Sequence, residues 1–362
     1  MTFHSFPLLT GNFTECSGEP LGESMMKSIS AILISLMVLM TSFPAAGPIL
    51  NWKEGRKLTL AKGGYASGIF NGKLLLAGGT HWKDDKKLWT NEVVAYDPKR
   101  DEWETFPPLP KALAYGASAA DEEAFYFLAG AGPEKPERAG YRLQRQGSTY
   151  RWEEFTQLPV DRSYSRAVIL DGQLFLAGGS DSVNDLSKAS TALLSLSLKK
   201  PKATWKTVRP MPGEGRAVFA AASCNGKLYV FGGCLVDGGD VRNLASAYRY
   251  DPATDQWTRL HDLPAPTRTW SASSADGRFI FLFGGYSTSP DSNAKTQSGH
   301  FEKRVYRYDT KLDTYQEMSP LPFANADMSF HLLKGAFYGA GGEPVQKARA
   351  AWTFIGELGN NP

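Results

Sequence analysis

Six times along this chain a short apolar run ends in glycine, at a nearly constant spacing. The runs are Leu74–Gly79, Leu174–Gly179, Leu228–Gly233, Ile280–Gly285 and Phe337–Gly342, with a degenerate sixth copy at Phe125–Gly132. The first glycines are Gly78, Gly130, Gly178, Gly232, Gly284 and Gly341, so the intervals are 52, 48, 54, 52 and 57 residues. A second marker keeps phase. Trp52, Trp103, Trp152, Trp205, Trp257 and Tyr315 each precede a marker glycine by 26 or 27 residues. A turn motif separates the two markers at Tyr96-Asp97-Pro98, Tyr250-Asp251-Pro252 and Tyr308-Asp309-Thr310. Short apolar runs bounded by turn residues read as buried strands. A unit of about 50 residues that cannot bury its own faces must stack on copies of itself.

The pattern resembles the kelch repeat, in which each unit is a four-stranded blade and the blades pack radially around a channel. The fold expected is all-β, a six-bladed kelch β-propeller over 48–362. In this reading the apolar run is the second strand, and paired glycine allows the tight bend at its end. The aromatic marker sits on the outer strand and fills the space between blades. The last blade has three strands of its own, ending around 351–358. Its fourth is expected from Asn51-Trp52-Lys53, so an N-terminal strand closes the ring and leaves no open edge there.

Residues 25–47 have the layout of a secretory signal: Lys27, an apolar run from Ile29 to Met40, then small residues up to Gly47. The alternatives for this run are a membrane anchor or a buried helix. Residues 1–24 carry no fold pattern and read as an upstream extension, with the native start at Met25 or Met26. Export to the periplasm or secretion is the expected localisation, with no membrane role beyond it. The net charge of +3 comes without a long basic run and gives no support for a nucleic-acid partner. Cys16, Cys224 and Cys234 form no metal set and no disulfide framework. Cys224 and Cys234 are either a local pair or two buried thiols.

Counting sixteen residues back from each first glycine gives Lys62, Ala114, Arg162, Arg216, Arg268 and Asn325. Three Arg and one Lys at one repeat position are either structural, bonded to neighbouring carbonyls, or a partial cationic ring for an anion. Residues following the glycine pairs are expected at the channel mouth: Thr80, His81, Trp82, Ser180, Asp181, Tyr286 and Glu343. Glu343 stands out as a carboxyl directly after Gly341-Gly342 and six residues before Arg349. It is an acid/base candidate or a loop carboxylate paired to Arg349.

Several blades resemble the sialic acid mutarotase (N-acetylneuraminate epimerase) family of exported kelch enzymes. Gly342-Glu343, five residues and Arg349 is similar to the family's Gly-Glu…Arg motif. Lys62-Gly63-Gly64-Tyr65-Ala66-Ser67-Gly68 is similar to its Gly-Gly-Phe-Ala-Gly strand, and Lys86-Lys87-Leu88-Trp89 to its Lys-Lys-aromatic segment. Glu343 lies near the end of this chain and Gly63-Gly64 near its start, which resembles a cyclically permuted subgroup. Val345-Gln346-Lys347 replaces the family's Lys-Pro-Gly, and most of its roofing insertions are missing.

The resemblance implies interconversion of the anomers of N-acetylneuraminate or a related acidic sugar, without a cofactor or metal. It implies Glu343 and Arg349 as catalytic residues. Arg162, Arg216, Arg268, Lys62, Tyr65, Lys87 and Asn325 would be substrate contacts. Two other readings compete. One is a non-catalytic kelch module binding glycans or proteins. The other is a copper radical oxidase, which the scattered His4, His81, His261, His300 and His331 disfavour.

Overall fold

The computed structural model describes residues 49–183, 185–200, 202–288 and 299–359. The extension, the leader-like segment 25–47 and Cys16 lie outside the described residues. The protein is all-β, with six four-stranded antiparallel sheets among the described residues. Blade one is Ala66–Phe70, Lys73–Ala77, Val93–Asp97 and Glu102–Phe106; blade two runs from Ala117–Ala120 to Thr149–Arg162. Blades three, four and five begin at Arg166–Leu170, Ala220–Cys224 and Ser271–Ala275. Blade six is Ser329–Leu333, Ala336–Ala340 and Thr353–Gly359, with Ile49–Gly55 as its outer strand. That strand pairs with the third from Ile49 opposite Gly359 to Gly55 opposite Thr353. The innermost strands touch one another in chain order, and Ser329–Leu333 returns to Ala66–Phe70.

The core lies between blades. Six apolar clusters each combine residues of two neighbouring blades, one of them pairing blade six with blade one through Tyr65, Leu74, Tyr96, Ala340 and Ile355. Each large side chain taken fully out of water there, such as Phe125, Phe231 or Phe283, contributes about 1.5–3 kcal/mol.

The outer-strand aromatics do more than fill volume. Trp103 Nε1 donates to Arg56 O (2.8 Å), Trp152 to Pro107 O (2.8 Å) and Trp257 to Arg209 O (2.9 Å). Trp205 reaches Thr156 Oγ1 (3.0 Å), and the Tyr315 hydroxyl reaches His261 O (3.0 Å). Each donor thus reaches back to the preceding blade or the chain just after it. The Tyr-Asp turns add a second tie. Tyr250 OH donates to Asp255 (2.7 Å), which also accepts the Arg209 N–H at 3.1 Å.

The paired glycines are required by close approach as well as by conformation. Gly78 has φ 67°, and a Cβ there would lie 2.2 Å from Leu113 O. In blade two the corresponding pair is Ala129-Gly130, with Ala129 at φ 57°. The marker in that blade is therefore one residue earlier than the glycine count places it. Cys224 and Cys234 are both free and buried.

Candidate active site

The chain enters each innermost strand through one residue in the left-handed region. These are Gly64 (φ 65°), Tyr115 (59°), Tyr164 (57°), Val218 (55°), Thr269 (57°) and Asp327 (63°). A β-branched Val or Thr at such φ is strained by about 1–3 kcal/mol. Backbone hydrogen bonds between blades hold it. Tyr115 N–H donates to Gly64 O (2.7 Å), Tyr164 to Tyr115 O (2.8 Å), Val218 to Tyr164 O (3.2 Å), Thr269 to Val218 O (2.8 Å) and Asp327 to Thr269 O (3.4 Å). At the seam between blades six and one the pattern changes: the Gly64 N–H bonds to the Asp327 carboxylate.

This ring borders a cavity of about 610 Å³ that runs along the innermost strands. Its lining is mainly small residues, among them Ser67, Ser118, Ala221 and Ser273. Three repeat positions depart from neutrality, each in one blade. The left-handed position is an acid only at Asp327. Two residues on, the first position of the innermost strand is Ala66, Ala117, Ala220, Ser271 and Ser329, but Arg166 in blade three. The position after the glycine pair is Thr80, Ala131, Ser180, Cys234 and Tyr286, but Glu343 in blade six. Asp327, Arg166 and Glu343 all line the cavity, together with Arg349, Lys87, Tyr115 and Tyr164.

Glu343 and Arg349 form an ion pair. The Arg349 side chain is 5% exposed and that of Glu343 23%, so the pair is poorly screened by solvent. Arg349 Nη2 also donates to Thr80 Oγ1 (2.9 Å). The Glu343 carboxylate accepts the Lys347 N–H (2.9 Å), and the Glu343 N–H donates to Asn325 Oδ1 (2.8 Å). Glu343 pairs through its backbone with Ala326, the neighbour of Asp327. Gly63 explains how close these groups come: a Cβ there would lie 2.9 Å from Asp327 Oδ2 and 3.1 Å from Arg349 Nε. Burial works against the charge on Arg349, and Asp327 and Glu343 more than offset it, holding its pKa above the ordinary value. Burial pushes the Asp327 carboxyl up, with Arg349 opposing. Burial pushes Arg166 down, with Asp327 opposing. Tyr115 and Tyr164 pack with their rings tilted by 38° and centroids 4.7 Å apart, and Lys87 Nζ lies 4.9 Å from the Tyr115 centroid.

Of the residues expected from sequence, Glu343, Arg349, Lys87 and Tyr65 reach the cavity. The Tyr65 hydroxyl is committed to Ala340 O and accepts the Ser329 N–H at 3.3 Å. Lys62, Arg162, Arg216, Arg268 and Asn325 do not line it. Arg216 is fully buried and donates to Gly232 O and Ser246 O, both at 2.9 Å. Lys62 is equally buried, with Nζ 3.0 Å from Glu92. Arg162 bonds Ser190 Oγ (3.1 Å), Arg268 bonds Asn243 Oδ1 (2.7 Å), and Asn325 bonds Gly341 O (3.2 Å) and Glu343 N–H. These side chains fasten the entry to five of the six blades, so the cationic positions serve the fold rather than the mouth. The repeat register also slips. The carbonyl that receives the second glycine's N–H belongs to Lys62, Leu113, Arg162, Arg216, Thr267 and Asn325, so Ala114 and Arg268 sit one residue out of phase. Sequence reasoning missed Arg166, Asp327, Tyr115 and Tyr164; for Arg166 and Asp327 a charge in an otherwise uncharged column was the available signal.

Deeper in the channel, His331 Nε2 lies 2.8 Å from Ser67 Oγ. Protein crowds the ring although it borders the cavity, and burial pushes its pKa down to about 4. The unfolded chain binds this proton between the ordinary value of 6.5 and about 4, so this contribution to stability is present above that window and is lost as pH falls through it. In a His331→Asn variant the urea midpoint is expected to fall less between pH 7 and pH 4.5 than in the wild type. Equal falls in both would sink the assignment.

The fold and the single-blade charges define a kelch-type propeller with carboxyl and guanidinium groups gathered along its channel. A family model for N-acetylneuraminate epimerase matches residues 183–289, and one for the kelch motif matches 61–110. N-acetylneuraminate epimerase of Pasteurella multocida is 28% identical over 200 residues, 48% of this chain and 52% of that protein. Beta-scruin of Limulus polyphemus is 26% identical over 51% of this chain and 19% of its own length. Kelch-like protein 36 of Mus musculus is 30% identical over 53% and 29%. The chain therefore spans about half or less of the length of these relatives. A solved structure of YjhT superposes with a TM-score of 0.69 at 12% identity, over 84% of this chain and 97% of that one; it shows the shared fold. The resemblance carried by the sequence motifs is thus to N-acetylneuraminate epimerase on a kelch propeller. The segment matched by the epimerase model does not include Asp327, Glu343 or Arg349.

Proposed function

We propose that the protein is a mutarotase that interconverts the anomers of N-acetylneuraminate or a related acidic sugar by acid/base ring opening. The observation that carries this reading is the Glu343–Arg349 pair at the cavity mouth, on a blade position that is uncharged in the other five blades. Ring opening requires a base at the anomeric hydroxyl and an acid at the ring oxygen. Glu343 is the base, and Arg349 fixes its carboxylate. Arg166 and Lys87 supply the positive charge that favours an acidic substrate, with a guanidinium suited to bidentate carboxylate binding. The packed rings of Tyr115 and Tyr164 offer an apolar wall to the sugar. The family likeness supports the substrate class, and the leader-like segment supports export.

The test is proton NMR of anomer exchange across a panel of acidic and neutral sugars. Acceleration confined to carboxylated sugars supports the reading, and equal acceleration of neutral ones contradicts the substrate class. Arg166→Gln is expected to raise KM for the acidic sugar about 10-fold or more, from the loss of one charged hydrogen-bonding partner worth about 1.5–3 kcal/mol, with kcat little changed. An unchanged KM would remove Arg166 from substrate binding. The likeness to scruin and kelch-like proteins favours a second reading, a binding module without catalysis. That module would show no exchange and would tolerate Glu343→Gln.

A further inference from the structure

Ring opening by Glu343 leaves one role unfilled, since a base alone cannot protonate the departing ring oxygen. We infer that Asp327 is that acid, and that Asp327 and Glu343 work as a pair across Arg349. The inference rests on the mutarotase reading.

Position is the first argument. Asp327 follows Ala326, whose backbone exchanges hydrogen bonds with Glu343 at 2.9 and 2.7 Å. Both carboxyls line the cavity, and both act electrostatically on Arg349. Asp327 Oδ2 and Arg349 pack on the same face of Gly63, where a side chain would displace them. The second argument is the break in repeat symmetry. The equivalent residues in the other blades are Gly, Tyr, Tyr, Val and Thr, which serve the ring through their backbone. Of the six, only Asp327 is charged, and the N–H of its neighbour Gly64 acts on its carboxylate. The third is protonation. Burial and the nearby Glu343 raise the Asp327 pKa, while Arg349, Arg166 and the Gly64 N–H oppose this. Tyr65 and Tyr164 also face it, each held up chiefly by its own burial and therefore neutral. A carboxyl buried beside another carboxylate is held toward its protonated form.

The steps balance without a further reagent. The Glu343 carboxylate takes the anomeric hydroxyl proton. The bond from the anomeric carbon to the ring oxygen breaks, and its electron pair goes to that oxygen, which takes the Asp327 proton. The anomeric carbon is now a carbonyl. After rotation, the freed hydroxyl attacks the opposite face and returns its proton to Asp327. The carbonyl oxygen takes the proton held by Glu343, and both groups are restored.

The test is Asp327→Asn, read by anomer exchange as a function of pH beside wild type and Glu343→Gln. Asn tolerates left-handed φ and still offers an oxygen to the Gly64 N–H, so the fold should persist, as a thermal melt would check. The expected result is a kcat about 100-fold lower, a typical contribution of a positioned acid, with KM within a few-fold. The alkaline fall of wild-type kcat, which reports loss of the Asp327 proton, should vanish in this variant. A merely structural Asp327 would lower the melting temperature and leave the pH profile unchanged. Wild-type kcat and profile in Asp327→Asn, with Glu343→Gln inactive, would overturn the pairing alone. Absence of exchange in the wild type would overturn the mutarotase reading and the inference with it.

Discussion

Replacing Glu343 by Gln is expected to slow anomer exchange by about 10²–10⁴-fold, the span of a positioned acid/base group, without unfolding the protein. The amide matches the carboxylate in shape. It can still accept the Lys347 N–H that Glu343 holds at 2.9 Å and can offer an oxygen to Arg349. It cannot take a proton. The cost to stability is limited because removing the Glu343 charge, which raises the Asp327 pKa, favours an ionised Asp327 as the negative neighbour of Arg349. Exchange rates from NMR and a thermal melt on the same samples separate the two effects. A variant that melts like the wild type and exchanges sugar at the wild-type rate would remove Glu343 from the chemistry.

The second large effect is structural. Arg216→Met should destabilise the protein by about 2–5 kcal/mol, since it strands two buried carbonyls at about 1–3 kcal/mol each. Arg216 is fully buried, and its guanidinium satisfies Gly232 O, Ser246 O and Ser246 Oγ. Methionine fills similar volume but leaves the buried carbonyls without their donors. Burial already pulls the arginine down to about 10. Its positive charge is maintained by packing against the Tyr248 face, 5.1 Å from the ring centroid, and by these acceptors. Chemical denaturation checks the size of the loss. The folded fraction should keep its KM, since Arg216 does not line the cavity. A raised KM with unchanged stability would return Arg216 to substrate binding.

The fold was legible because the markers are residues that the geometry cannot replace. Gly78 must approach the Leu113 carbonyl, and Trp103, Trp152 and Trp257 must reach back toward the preceding blade with an N–H. Such demands recur in most blades, so they surface as periodic residues. The register within a blade was less legible. Ala129 occupies a left-handed position that glycine fills elsewhere, which moved the blade-two count by one. In blade five the hairpin turn is Asp276-Gly277-Arg278, against the two-residue Asn71-Gly72 turn of blade one, which moved Arg268 out of phase.

The site was legible only in part, for a related reason. Glu343 and Arg349 share a short loop and a family motif, so the sequence brings them together. Asp327 and Arg166 come from different blades and meet only when the ring is formed. Nothing in their local sequence marks them, and only comparison of equivalent positions around six blades exposes their charge. The cationic positions that did recur, Lys62, Arg162 and Arg216, recur because they fasten the entries of their blades. Repetition in a propeller marks structure, and a charged residue that breaks repetition at the channel marks the site.

The most direct measurement is the NMR time course of freshly released α-N-acetylneuraminate with and without the purified wild-type protein. Conversion to the β anomer is expected well ahead of the spontaneous rate, in proportion to enzyme concentration. Conversion at the spontaneous rate, with folded protein at any concentration, would contradict the mutarotase reading.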